Sequence, residues 1–314
     1  MSQQINYILK RILQIIPVLF LVTILIFLLM HLIPGDPAEV MLGEKATPEL
    51  IAQLHIKMGL DKPLYVQYFV FFKNLLSLNL GNSIVYIVPV SELLGKCIVV
   101  TIMLTIMSSI FVLALSFPLG YIAGANKDKA KDQVIRTGAL VALAIPQFWI
   151  ALMLLLLFGL KLHWFPVAGW GETWPEHIKS LILPAFTQSL ATSCLLIRNL
   201  RNNVVDVLRS DYVDFARSKG LKEKIVRTRY IIRNALISTV TLLALRLAYM
   251  LGGSIVIETV FTLPGVGALL VSSILSRDYS VVQAVVFIFS AMVLTVNLIT
   301  DISYSFLDPR VKLE

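Results

Sequence analysis

Charge is scarce in this chain, and so is cysteine. Of its 314 residues only 15% are Asp, Glu, Lys or Arg, where a soluble domain carries about 25%. Hydrophobic residues make up 57%, and the mean hydropathy is +0.83. That balance excludes an ordinary soluble enzyme and a disordered chain. There are two cysteines, Cys97 and Cys194, each isolated in or beside an apolar run, with no C-x-x-C or Cys/His spacing. A disulfide scaffold is therefore excluded, and both read as packing residues. The sequence has no G-x4-G-K-[ST], no H-E-x-x-H and no G-x-S-x-G, so it holds no ATP through a P-loop of its own. No nucleophile, base or metal constellation stands out.

Long apolar runs are present instead. A helix crosses a bilayer core with about 20 apolar residues. Six stretches reach or approach that length: Ile12–Ile33, Ile98–Ala123, Thr137–Leu160, Leu181–Ile197, Asn234–Ile257 and Val281–Leu307. The fourth has only 17 residues and carries Pro184, Thr187, Gln188 and Ser189. Small and polar residues recur within the runs, among them Ser108, Ser109, Gly252 and Gly253, and Gly120-x-x-x-Gly124 allows close helix packing. Lys10 and Arg11 precede the first run as in a secretory signal. That run is too long for one, and Ile33-Pro34-Gly35-Asp36-Pro37 offers no small-x-small cleavage site, so an uncleaved first span is expected.

The basic residues set the expected orientation. With the N-terminus inside, segments 1–11, 124–136, 198–233 and 308–314 hold eighteen Lys and Arg. The outer segments 34–97, 161–180 and 258–280 hold eight over a greater length. Both termini are thus expected in the cytoplasm, and the net charge of +8 is a positive-inside signature, not a nucleic-acid footprint. Ionisable groups within the spans are few: His31, Arg246 and Asp301. One Arg and one Asp make no proton relay, which argues against a secondary carrier. Arg246 either lines a translocation cavity or pairs with a polar group on a neighbouring helix.

Between the spans, Thr47-Pro48-Glu49 reads as a helix start with Thr47 as its cap, and the helix is expected to end near Gly59. Leu64–Leu76 is apolar and aromatic but 13 residues long, which suits an interfacial or packed helix rather than a seventh span. Gly81-Asn82-Ser83 marks a turn. The 161–180 segment carries Trp164, Trp170 and Trp174, as an aromatic belt does, together with His163 and His177, which could form a substrate or metal site. Segment 198–233 holds ten Lys and Arg and four acids, yet Val204, Val205, Leu208, Tyr212, Phe215 and Ala216 recur at helical spacing among them. A merely solvated loop needs no such stripe, whereas one that docks on a partner does.

These blocks add up to a resemblance running nearly end to end. Ile33–Pro37, Gly59-Leu60-Asp61-Lys62-Pro63, Asp211-Tyr212-Val213 with Ala216-Arg217, Lys219-Gly220 and Arg233-Asn234-Ala235-Leu236, Gly252-Gly253 with Glu258, Phe261, Pro264-Gly265 and Gly267, Arg277-Asp278-Tyr279 and Asp308-Pro309-Arg310 follow one another in family order. The chain resembles the permease subunits of bacterial ABC importers for dipeptides, oligopeptides and nickel, specifically the first permease of the pair.

The resemblance implies an all-α integral membrane protein with six transmembrane helices and the type I, MetI-like permease fold, in the bacterial inner membrane. It implies residues 1–97 as a first helix plus extracytoplasmic segment, 98–307 as a core of five helices, and 308–314 as a tail. Asp214-Phe215-Ala216-x3-Gly220 occupies the frame of the family's E-A-A-x3-G coupling motif, with Asp for Glu and Phe for the first Ala. Asp211, Tyr212, Asp214, Phe215, Ala216, Arg217, Lys219 and Gly220 are thus the expected ATPase-coupling residues. Arg246, Glu258, Phe261, Pro264 and Gly265 are the expected pathway or gate residues. The implied partners are a second homologous permease, two ABC ATPases that carry ATP and Mg, and an extracytoplasmic binding protein. This chain itself is expected to bind no cofactor and to catalyse nothing. Peptides are the first expected cargo, with nickel or a metal chelate second.

Overall fold

The computed structural model describes residues 2–32, 36–43 and 46–307, so the blocks at Ile33–Gly35 and Asp308–Arg310 lie outside the described residues. Among those residues the regular secondary structure is all helical, apart from one isolated antiparallel bridge between Asn82 and Pro89. It divides into two compact units, residues 1–99 with 265–295 and residues 100–264 with 296–314. The helices are α1 Ser2–Leu32, α2 Pro37–Leu42, α3 Pro48–Met58, α4 Leu64–Leu76, α5 Val90–Ala125, α6 Ala130–Ala144 and α7 Gln147–Leu154. They continue with α8 Trp174–Leu208, α9 Asp211–Ser218, α10 Glu223–Ile225, α11 Arg233–Val260, α12 Val266–Leu275 and α13 Tyr279–Leu307. π-helical stretches Leu155–Lys161 and Val226–Ile232 extend α7 and α10.

In the first unit, α4 packs along α1. Phe20 and Phe27 meet Tyr68 edge to face at 6.2 and 5.4 Å, and Thr23 Oγ1 lies 2.9 Å from the Tyr68 hydroxyl. The aromatic segment Leu64–Leu76 is thus a packed helix. Thr47 Oγ1 accepts from the Leu50 amide at 3.4 Å and Gly59 closes α3 at φ +71°, a left-handed backbone conformation that residues with a Cβ rarely adopt. Asp278 is fully buried. It accepts from Ser83 Oγ at 2.5 Å and the Val85 amide at 3.2 Å, pinning the 81–89 turn to the start of α13. A core of Val90, Leu94, Val266, Leu269, Val281 and Val285 lies alongside. Cys97 belongs to it, and Cys194 is buried in the second unit.

Among the described residues five helical segments are long and apolar enough to cross a membrane: Leu9–Leu32, Val90–Ala125, Trp174–Leu208, Glu223–Gly252 and Tyr279–Thr300. The third expected span, Thr137–Leu160, is not one straight helix. It breaks into α6 and α7 with its π extension, which are bent by 99° to one another. Pro146 has no N–H, and Ile145 before it is extended at φ −86°, ψ 130°, as the proline ring requires. The other spans run past their apolar cores. The fourth grows from 17 expected residues to the 35 of α8. Its start is fixed by Pro175 in the first turn and by Glu176, which accepts from the Glu172 and Thr173 amides at 2.8 and 3.3 Å. Helix α12 is apolar but only ten residues long, too short to stand out in the sequence as a span.

Candidate functional site

Segment 198–233 is not a loop. Helix α8 runs through it to Leu208, α9 follows after two residues, and α10 leads back into α11. The last turns of α8 are fixed on three sides. Gly120 and Gly124 of α5 lie against Leu200 and Val204 so closely that a Cβ would stand 2.9 and 2.6 Å from theirs. Asn203 donates to the Ala235 carbonyl at 3.2 Å, and Thr239 Oγ1 donates to Asn199 Oδ1 at 3.1 Å, both reaching α11. Arg201 reaches α6, where its Nη2 meets Asp132 Oδ2 at 2.6 Å and its Nε meets Oδ1 at 3.2 Å. Neither Asp132 nor Arg201 stands out in the sequence, because they lie 69 residues apart in two separate basic segments and no local spacing links them.

Helix α9 shows two faces. Val213 and Ala216 are buried with Leu200, Val204, Val226, Ile231 and Ala235, so this face belongs to the chain's own core. Tyr212 and Phe215 are 41% and 61% exposed on the other face, and Asp211, Asp214, Arg217 and Lys219 are exposed around them. The expected apolar stripe is therefore divided: Val204, Val205 and Ala216 pack inward while Tyr212 and Phe215 point out. Lys219 Nζ sits 4.5 Å over the Phe215 ring, a cation–π contact. Arg217 bonds Glu223 through Nη2 at 3.2 Å, and that hydrogen bond holds its guanidinium above the usual arginine value.

The helix stops in a Schellman turn. The Gly220 amide donates to the Arg217 carbonyl at 2.9 Å and the Leu221 amide to that of Ala216 at 3.4 Å, with Gly220 at φ +73°. Leu221 then packs into the same core, which turns the chain back toward α10.

The expected pathway residues do not form one cluster. Arg246 sits near the middle of α11, half-buried, with its guanidinium 5.3 Å from the ring centre of Tyr249, which is 75% exposed. Glu258 is fully buried and accepts from Thr101 Oγ1 at 2.7 Å. Phe261 caps α11 and is 3% exposed in a core with Ile257, Leu263, Leu104 and Leu181. Pro264 is exposed, and Gly265 caps α12 in the other unit. A further polar link lies deep in the second unit, where Gln188 donates to the Met250 carbonyl at 2.5 Å and accepts from Ser108 at 3.2 Å.

His177 is committed elsewhere than to a ligand. Its ring stacks on Trp170 at 4.3 Å and its Nδ1 lies 2.9 Å from the Trp170 carbonyl, while His163 is exposed at φ +55°. Among the described residues no group of three or more His, Cys, Asp or Glu is placed to hold a metal. The first unit contains a cavity of about 900 Å³ lined by His31, Asp36, His55, Gln67 and Gln283 among others. At its edge His55 Nε2 lies 2.8 and 2.7 Å from the two Asp36 oxygens. Burial raises the Asp36 pKa, but the bonds from His55 and the Ala38 amide outweigh it and leave the carboxyl below its usual range.

Residues 116–313 match the family model described as the binding-protein-dependent transport system inner membrane component, and residues 4–87 match that family's N-terminal model. The chain is 38% identical over 307 residues to the glutathione transport system permease protein GsiC of Salmonella choleraesuis, covering 98% of this chain and 99% of that one. It is 36% identical to GsiC of Escherichia coli over the same length and coverage. Among solved structures, the MetNI methionine ABC transporter in an inward-facing conformation aligns with a TM-score of 0.59 at 14% identity. That alignment covers 70% of this chain and 98% of the other, and shows the MetI-like fold. Its helices and these matches make the chain a multi-pass protein of the bacterial inner membrane. The chain belongs to the inner membrane components of binding-protein-dependent transport systems and is a permease subunit of an ABC importer.

Proposed function

We propose that this permease forms half of the path by which a small peptide of the glutathione type enters the cell, driven by ATP bound with Mg on two partner ATPases. The other half comes from a second, homologous permease. An extracytoplasmic binding protein delivers the cargo to segments 34–97 and 161–180, and both chain termini lie in the cytoplasm. The chain itself performs no chemistry. Its part is to change shape when the ATPases close, a bistable element biased by a ligand held elsewhere.

The two faces of α9 carry this reading: Val213 and Ala216 tie the helix to the chain's core, and Phe215 and Tyr212 are left outside it. A helix with an aromatic pair exposed beside Lys219, Asp211 and Asp214 fits a groove on a partner better than open water. The glutathione permeases that the chain matches at 36–38% identity support the cargo class. Arg246 supports it too, as a cation suited to the carboxylates of such a peptide.

The test is reconstitution. The chain is co-expressed with the products of its neighbouring genes, placed in liposomes, and its ATP turnover read with and without the binding protein. Stimulated turnover that Gly220→Arg abolishes is the expected result. Uptake of solute with no ATPase present would overturn the reading. A ligand screen on the binding protein with glutathione, dipeptides and chelated nickel then identifies the cargo.

A further inference from the structure

The turn of α8 from Asn199 to Val204 holds three neighbouring helices at once, two through neutral contacts and the third, α6, through charge. Asp132 is fully buried and the Arg201 side chain is 13% exposed. The carboxylate also accepts from the Asp128 amide at 2.9 Å, which fixes the start of α6. An ion pair taken out of water is seldom a net gain in stability over a well-packed apolar pair. What it supplies is direction: a two-point link that ties one position on α6 to one position on α8.

The far end of α6 is differently held. Past the bend at Ile145 and Pro146, α7 and its π extension put Ala151, Leu155 and Phe158 into the core formed with Leu181, Leu183, Ile257 and Phe261. The third span thus has two halves held differently, α6 by the ion pair toward the C-terminal end of α8 and α7 by an apolar core that includes Leu181 and Leu183 nearer the start of α8. At the break Pro146 donates no backbone hydrogen bond. Helix α9 shares its core with Leu200 and Val204 of α8, on either side of Arg201. Whatever displaces α9 as a body displaces that turn of α8.

We infer that the Asp132–Arg201 pair makes α6 travel as one block with α9 and the C-terminal part of α8, with Ile145–Pro146 as the hinge on which the third span changes its bend during transport. The inference rests on the reading that α9 docks on an ATPase. Asp132 and Arg201 are positioning residues: they touch neither cargo nor ATPase, and they set how much of the coupling-helix motion reaches the span.

The experiment uses the whole reconstituted importer, with Cys97 and Cys194 replaced by serine and spin labels at exposed sites. One pair is Leu140 and Asn202, across the ion pair; the other is Leu140 and Leu157, across the hinge. Between the nucleotide-free and ATP-trapped states the hinge distance is expected to change and the Leu140–Asn202 distance to hold. Asp132→Asn is expected to lower solute moved per ATP by about fivefold or more, with the ATPases still co-purifying, and the double exchange Asp132→Arg with Arg201→Asp to restore it. An unchanged hinge distance, or a transport ratio unaltered by Asp132→Asn, overturns the inference. The label distances need neither charge variant, so they decide the matter even where Asp132→Asn fails to fold. A cross-link from Phe215→Cys to an ATPase tests the docking reading separately. Its absence sinks that reading, and its presence with an unmoved hinge sinks only this one.

Discussion

Gly124 lies directly beneath Val204: a Cβ built on the glycine would stand 2.6 Å from the valine's own Cβ and 2.9 Å from the Arg201 carbonyl oxygen. The second of those atoms is backbone and cannot rotate away, so any side chain at 124 pushes α5 and α8 apart. Gly124→Ala is therefore expected to cost about 1–3 kcal/mol through overpacking. Gly138 in α6 supplies the control, since nothing stands within 4 Å of its Cβ position. Gly138→Ala is expected to be neutral or to stabilise by about 0.5–1 kcal/mol through helix propensity. Thermal unfolding of the purified complex in detergent separates the two: a lowered midpoint for Gly124→Ala alone is the expected pattern.

The two faces of α9 predict opposite kinds of failure. Phe215 is 61% exposed, and its replacement by alanine should change the stability of this chain by no more than about 0.5 kcal/mol. If the ring anchors the partner, Phe215→Ala loosens ATPase co-purification by about 2 kcal/mol or more, roughly thirtyfold. Val213 is fully buried, so Val213→Asp places a charge in the core and removes the chain from the membrane fraction. Equal amounts of Phe215→Ala and wild type in the membrane, with the ATPases lost from the variant only, is the expected outcome.

Local signals were legible in the sequence, and contacts between distant segments were not. Thr47 and Gly59 bound α3 as expected because a cap and a left-handed stop act within one turn. Leu64–Leu76 was set apart by its length. Proline was ambiguous: Pro17, Pro118 and Pro184 sit inside continuous helices, while Pro146 breaks one. Pro184 is buried in a packed helix and Pro146 is exposed, a difference of surroundings that the residue type does not encode. Helical spacing likewise revealed the apolar stripe of 204–216 without showing which part of it the chain keeps for itself. The Asp132–Arg201 pair lacked even a local pattern.

Asp36 makes a prediction about pH. Its carboxyl is held below the usual range despite burial, through His55 and the Ala38 amide. A lowered pKa means that the folded state favours the ionised form. The contribution is complete above the ordinary carboxylate value of about 3.9 and is lost as pH falls through the still lower folded value. Hydrogen-exchange protection of α2 and the start of α3, corrected for intrinsic rates, should thus be insensitive to Asp36 titration near neutrality and fall only in acid. Asp36→Asn should show the acid level of protection already at neutral pH. Protection that declines with Asp36 intact and is unaffected by Asp36→Asn would assign the effect to another group.

Arg246 stands 13 residues into α11, roughly 20 Å from its start at about 1.5 Å per residue. Among the described residues no carboxylate lies within ion-pair distance of it, and its guanidinium rests against the exposed ring of Tyr249. Facing lipid at that depth an arginine costs about 2.5–3.5 kcal/mol, so Arg246→Leu would then stabilise the chain and leave uptake unchanged. Facing the pathway, it offers hydrogen bonds worth about 1.5–3 kcal/mol to a carboxylate. The expected result is the second: Arg246→Leu reaches the membrane in wild-type amount, and uptake of a peptide with a free C-terminal carboxylate falls about tenfold or more. The same peptide amidated at its C-terminus should be carried equally by wild type and variant, because it lacks the group that Arg246 would hold.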